Sequence, residues 1–206
     1  MKISSEKKLG IIIIAAGNSS RLGQAKQLLE ISGISLLQRT VSIAEGLSGY
    51  SVCILGYEAD RLASNLDPSS CKILINENWR VGMGSSIACG VDFFIEKVDA
   101  VMILLCDQYR LTMTELGPLV KQWQNKPDKI IASQYFDRKY NKLIEGAPAI
   151  FPQRYFSSLM ELKEQGARDI LRKNHQNVMT VLSENAAFDL DTENDLKVFN
   201  EYFRKN

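Results

Sequence analysis

The chain has 206 residues, 45% hydrophobic and 24% charged, enough to bury one substantial core, and it reads as a single domain over residues 1–206. Its 25 Lys and Arg stand against 24 Asp and Glu with no basic run, which argues against a nucleic-acid or membrane-surface binder and favours a small soluble ligand. The apolar stretch Leu9 to Ala16 is far short of the ~20 residues that span a bilayer, and it runs into a polar loop instead of a cleavage site, so a cytoplasmic protein is expected.

In chain order, Ile11–Ile14, Ser51–Leu55, Lys72–Ile75, Ala100–Cys106, Lys129–Ser133 and Val178–Leu182 read as strands. Several lack polar alternation, as strands covered on both faces do. Helices lie between them. Ser35 with Gln38 and Thr112 with Glu115 have capping-box spacing, and Thr192 with Asp195 is a looser version of the same start. Leu37, Val41 and Ala44 form an apolar stripe behind the first of these. Strand and helix in alternation predict a mostly parallel α/β sheet covered on both sides, with ligands bound at the carboxyl ends of its strands. Cys53, Cys71, Cys89 and Cys106 follow one another at intervals of 18, 18 and 17 residues, poor spacing for zinc, and are expected to serve as small apolar packing groups. His175 reads as a turn residue, and Trp79 and Trp123 as packing side chains.

Chemistry is expected at two strand ends. Behind the first strand, "AAGNSSRLGQAK" joins Gly17, which lets backbone NH groups approach an anion, to the cations Arg21 and Lys26. The result reads as a phosphate cradle. It is neither common type, because five residues separate Gly17 from Gly23 and no G-x-G precedes. A plain strand-to-helix turn would have a similar composition, with Lys26 as a solvated helix residue. "VMILLCDQY" closes on Asp107, well placed for a divalent metal over a phosphate, although such a residue also serves turns. In "FDLDTENDL", Asp189 and Asp191 point to one side of an extended segment and can approach the same ion, or else belong to the cap at Thr192.

Taken together, these segments resemble a known family. The loop is similar to the nucleotidyltransferase signature A-A-G-x-S-x-R-x-G-x-x-K-x-L at Ala15, Ala16, Gly17, Ser19, Arg21, Gly23, Lys26 and Leu28. "NENWRVGMGSSIACGV" is similar to the N-x-x-W-x-x-G-M-x-x-S segment of the molybdenum cofactor cytidylyltransferase branch at Asn76, Trp79, Gly82, Met83 and Ser86. "LLCDQ", "GAPAIF", "QGARDIL" and "FDLDTENDL" follow in the family's order. The chain is therefore identified as a member of the MobA-like NTP transferases, molybdenum cofactor cytidylyltransferase branch.

That resemblance implies a Rossmann-like three-layer sandwich and a magnesium-dependent transfer of CMP from CTP to the phosphate of molybdopterin, with release of pyrophosphate. It assigns catalysis to Arg21, Lys26 and Asp107. It assigns the nucleotide to Ala15, Ala16, Gly17, Ser19, Ser20, Arg21, Gly23, Lys26, Asn76 and Ser86, with Ser86 also able to cap the following helix. The metal falls to Asp107, Asp191 and Asp189, and the acceptor to Gly82, Met83, Gly146, Pro148 and Arg168. A molybdenum hydroxylase of the xanthine dehydrogenase type is the implied partner. Three segments depart from the family pattern, with Tyr109 for a proline, Ala147 for a histidine, and Lys163 and Glu164 for Gly-Asp. All three are expected to face the acceptor, so the nucleotide half is the better preserved. The alternatives are a cytidylyltransferase for a sugar or polyol phosphate, an accessory protein that inserts the cytidylylated cofactor, and a non-catalytic nucleotide-binding module.

Overall fold

The computed structural model describes residues 7–137 and 141–204. It begins with β1 (Leu9–Ile14), a small hairpin of β2 (Glu30–Ile31) and β3 (Ile34–Ser35), α1 (Leu36–Leu47) and β4 (Ser51–Leu55). There follow α2 (Ala59–Ala63), β5 (Lys72–Ile75), α3 (Met83–Phe94), β6 (Ala100–Leu105) and α4 (Met113–Asn125). The last part comprises β7 (Ile130–Asp137), β8 (Lys142–Pro152), α5 (Phe156–Met160), α6 (Arg168–Lys173), β9 (Val178–Leu182) and α7 (Glu193–Arg204).

Seven strands form one sheet in the order β5-β4-β1-β6-β8-β7-β9. Every neighbouring pair is parallel except those of β8, which runs antiparallel to both β6 and β7. The expected mostly parallel, three-layer α/β architecture is what forms. Side chains alternate across β1, so Ile11 and Ile13 pack toward α1, α4 and α7 while Ile12 packs toward α3, α5 and α6. Each fully buried aliphatic side chain contributes about 1.5–3 kcal/mol of apolar burial, and the near-continuous isoleucine run in β1 supplies both layers from one strand.

The helix starts follow their sequence signals. Ser35 and Gln38 form a reciprocal capping box at α1, as Thr112 and Glu115 do at α4. At α7, Asp195 Oδ2 accepts hydrogen bonds from the backbone N–H and the hydroxyl of Thr192, both at 2.7 Å. All four cysteines are free thiols, as expected. Among the described residues, no helix is long and apolar enough to cross a membrane.

Two strands differ from expectation. β7 continues past Ser133 to Asp137, and β8 is a full strand that the sequence reading left out. The β7–β8 ladder is irregular, with Ala132 opposite Ala149 and Ser133 opposite Gly146, so β8 bulges at Ala147–Pro148 beside the carboxyl end of β6. Ser133 Oγ donates to the Pro148 carbonyl at 2.9 Å and satisfies the bulged backbone.

Candidate active site

The loop after β1 does not enter a helix. It turns through Ser19 and Gly23, both at positive φ, into a single 3-10 turn over Lys26–Leu28. Gln27 is buried and anchors this path, its amide Nε2 donating to the carbonyls of Ala15 at 2.9 Å and Gly17 at 2.8 Å. The Ser19 carbonyl accepts from the N–H groups of Leu22 and Gly23, and Leu22 inserts into the core. Both ends of the loop are therefore fixed while Gly17, Ser19, Ser20 and Arg21 line an open cleft of about 640 Å³.

Lys26 is the hub of the cleft's charges. Its ammonium donates to Asp107 Oδ2 at 2.6 Å and to Asp191 Oδ1 at 2.9 Å, with only 15% of the side chain exposed. Burial works against this charge, but Asp107 and then Asp191 outweigh it and raise the Lys26 ammonium well above the usual lysine range. The solvated-helix reading of Lys26 is corrected accordingly. Arg21, largely exposed, donates to Asp191 Oδ2 at 2.9 Å. Burial alone would raise Asp191, yet Lys26 and Arg21 lower it below the usual carboxylate range. The Leu190 N–H donates to the Asp107 carbonyl at 3.2 Å, and because Leu190 is wholly buried, Asp189 and Asp191 on either side both turn into the cleft.

Asp189 has no such cation in the interactions that set its charge. Partial loss of water first, then repulsion from Asp107 and Asp191, pushes its carboxyl up from 3.8 to about 6. A carboxyl raised on folding stabilises the protein fully below its unfolded pKa, and that contribution disappears as pH rises through about 6. In the ligand-free protein, carbon-13 NMR should therefore show one aspartate titrating near 6 that vanishes in Asp189→Asn. A midpoint near 4 would contradict this environment.

The donor set suits a divalent cation. Asp107 Oδ1 is buried without a hydrogen-bond partner among the described residues, an arrangement that is costly unless something else satisfies it. Among those residues, no group of three or more His, Cys, Asp or Glu side chains is gathered closely enough to hold a metal by itself. A cation held here would take one or two carboxylates, beginning with Asp107, and draw its remaining ligands from phosphate oxygens and water, as hard cations at phosphate sites commonly do.

On the opposite wall stand Met83, Gly146 and Arg168, with Tyr135 beside them. The Tyr135 hydroxyl and the Arg168 guanidinium both approach Gly146. The other expected residues lie elsewhere. Asn76 and Ser86 are buried, with Asn76 Nδ2 donating to the hydroxyls of Ser85 and Ser86, each at 2.9 Å, and Asn76 Oδ1 accepting from the Asn78 N–H at 3.0 Å. They fasten the turn after β5 to α3 and are not on the cleft wall. Ser86 also lies inside α3, whose N-cap is Gly82, so its expected capping role is corrected. Gly82 (φ 138°) and Gly84 let α3 start against the 163–165 backbone, where an added Cβ would fall 2.4 Å from the Glu164 carbonyl oxygen and 2.5 Å from that of Gln165. Pro148, Ala15, Ala16 and Gly23 are likewise outside the cleft lining.

Gln108 was not singled out from sequence. Its Nε2 donates to the carbonyls of Ala147 at 2.9 Å and Ala186 at 2.8 Å, joining the β8 bulge to the segment that carries Asp189. Its position directly after Asp107 was the available signal. Tyr109, the departure from proline, is buried and packs edge-to-face against Phe188, Phe199 and Phe203. Packing thereby replaces the fixed φ of proline and ties α7 to the Asp107 loop. Tyr109→Ala should lower unfolding stability by about 3–5 kcal/mol, measured by denaturant titration. A loss under about 1 kcal/mol, typical of a surface substitution, would show that the cluster does not hold α7.

The MobA-like NTP transferase domain model matches residues 11–178. A probable molybdenum cofactor guanylyltransferase of Nostoc sp. is 26% identical over 201 residues, covering 95% of this chain and 92% of that protein. Nicotine blue oxidoreductase of Paenarthrobacter nicotinovorans is 29% identical over 126 residues, which span 60% of each chain, less than two thirds of that relative's length. Among solved structures, Rv0371c of Mycobacterium tuberculosis H37Rv superposes with a TM-score of 0.81 at 20% identity, over 95% of this chain and 99% of that one, and the same protein is also known as a manganese complex. With a matched span of that extent, the chain belongs to the MobA-like NTP transferase family.

Proposed function

We propose that the protein is a magnesium-dependent cytidylyltransferase that transfers CMP from CTP to the terminal phosphate of molybdopterin and releases pyrophosphate. The observation that carries this reading is the placement of Lys26 between Asp107 and Asp191 beside an open, cationic loop, with Asp107 Oδ1 left unpartnered. Magnesium, when bound, neutralises charge on the phosphates. The backbone of Gly17 to Arg21 orients the triphosphate, and Arg21 and Lys26 offset its charge. An oxygen of the acceptor phosphate forms the new bond to the α-phosphorus as the bond to the pyrophosphate leaving group breaks, so no covalent enzyme intermediate is needed. Arg168, beside Tyr135 at Gly146, is the cation assigned to orient the acceptor's phosphate.

The test is pyrophosphate release with magnesium, each of the four NTPs and metal-loaded molybdopterin. Release only with both CTP and the acceptor supports the assignment, and none with any pair defeats it. A sugar or polyol phosphate is the second acceptor reading, favoured by Ala147, Lys163 and Glu164 where the family pattern has other residues. Including such acceptors in the assay separates the two.

Base choice is assigned to Ala16 by the family resemblance alone, which associates alanine there with cytidine nucleotides and glycine with guanosine nucleotides, since the residue itself lies outside the cleft lining. One methyl group discriminates by only ~1–3 kcal/mol, so CTP should be preferred with leakage to other nucleotides. Ala16→Gly should raise kcat/KM for GTP relative to CTP. Equal use of GTP by the parent protein would place it in the guanylyl branch.

A further inference from the structure

At the opposite end of the strands from the cleft, at the amino end of β5, Cys71 lines an open depression of about 800 Å³ together with Lys8, Lys72 and Lys97. Its side chain packs in the same core layer as that of Cys53, a wholly buried residue of β4. Cys71 precedes β5 and lies two residues before Ile73, the register partner of Cys53, so both side chains belong to the same face of the sheet. Neither thiol touches the proposed nucleotide site, and no part of the transfer reaction uses them.

We propose that Cys71 and Cys53 form a hydroperoxide-reactive pair, with Cys71 as the attacking sulfur and Cys53 as the resolving one. The geometry separates their roles, because Cys71, at 8% exposure, lines the depression while Cys53 is wholly buried. Interaction with Cys53 first, against the opposing effect of burial, lowers the Cys71 thiol and favours its thiolate, whereas interaction with Cys71 first, together with burial, raises Cys53. The remaining cysteines are poor competitors, since burial and then Asp107 push Cys106 up to about 12, and burial and then Asp92 raise Cys89.

The chemistry closes on these atoms and one peroxide. The Cys71 thiolate attacks the distal oxygen of ROOH, the O–O bond breaks, and the departing alkoxide takes a proton from water as Cys71 becomes a sulfenic acid. The Cys53 sulfur then attacks the Cys71 sulfur, the S–O bond breaks, and hydroxide leaves with the Cys53 proton as water. The two thiols lose two electrons, which reduce the peroxide. Residues diagonal across a sheet are ~7–8 Å apart, at the upper limit for a disulfide. The turn carrying Cys71 lies outside the ladder and must close by a small movement.

The full-length protein, treated with equimolar hydrogen peroxide, is alkylated and mapped by mass spectrometry without reduction. The expected product is a peptide pair linked through Cys53 and Cys71 in one chain, with Cys89 and Cys106 still alkylatable after denaturation. In Cys53→Ala the sulfenic acid on Cys71 should persist and be trapped by dimedone, and in Cys71→Ser neither product should form. A linkage between two chains, first oxidation at Cys89, or absence of the Cys53–Cys71 link in the parent protein overturns the proposal. The parent mapping decides the matter even if a variant fails to fold. Because it needs no nucleotide, its failure is distinct from failure of the proposed transferase activity.

Discussion

Asp107→Asn should reduce pyrophosphate release by at least ~1000-fold, since charge stabilisation through a bound cation contributes several kcal/mol to such a step and each 1.36 kcal/mol is a factor of ten. The substitution keeps the side-chain shape and removes one negative charge. The fold should survive because the backbone of residue 107 keeps its hydrogen bonds to the N–H groups of Tyr109 and Leu190, and Lys26 keeps Asp191 at 2.9 Å. Two measurements separate the cause from unfolding. The melting temperature should change little, while magnesium should no longer raise CTP affinity in titration calorimetry. Pyrophosphate release near the parent rate would remove Asp107 from the metal site.

Lys26→Met is expected to have the second largest effect. Methionine retains most of the aliphatic stem and deletes the charge, so packing losses are small. If the ammonium acts on the charge that develops at the α-phosphate, kcat falls more than KM rises, by about 100- to 1000-fold, the range for one preorganised electrostatic contact. The structure adds a consequence outside catalysis. Asp107 and Asp191 lose a partner at 2.6 and 2.9 Å, and two neighbouring carboxylates then repel one another. The ligand-free variant should therefore be less stable than the parent at neutral pH, and should recover as pH falls and the carboxyls protonate. Kinetics within about threefold of the parent, well under the tenfold that 1.36 kcal/mol represents, would take Lys26 off the list of catalytic groups.

The central strands were legible because β1, β4 and β6 are buried on both faces and must be apolar throughout. β8 was not, since Gly146 and Pro148 interrupt it at the bulge, and its antiparallel pairing breaks the strand-helix alternation that organised the reading. The site divides in the same way. Lys26, Asp107 and Asp191 follow local strand-end patterns, and the structure brings them within hydrogen-bonding distance across 81 and 165 residues of chain. Asn76 and Ser86 also sit in a recognisable motif, but their polar groups are spent on each other and on neighbouring backbone, which a motif cannot reveal. Gln27 and Gln108 act through partners elsewhere in the chain, and only the position of Gln108 directly after Asp107 marks either of them locally.

The docking of the segment from Leu190 onward against Asp107 and Tyr109 has a consequence for biosynthesis. A chain emerging from the ribosome can lay down β1, β4, β5 and β6, since domains begin to organise from the N-terminal side during synthesis. Such a chain already contains Lys26 and Asp107, yet Asp191 arrives some 84 residues after Asp107, and the aromatic residues of α7 later still. Until then the loop has a cation with one counter-charge instead of two. Ribosome-stalled intermediates ending before Phe188 would therefore present Lys26 paired with Asp107 but still lacking Asp191.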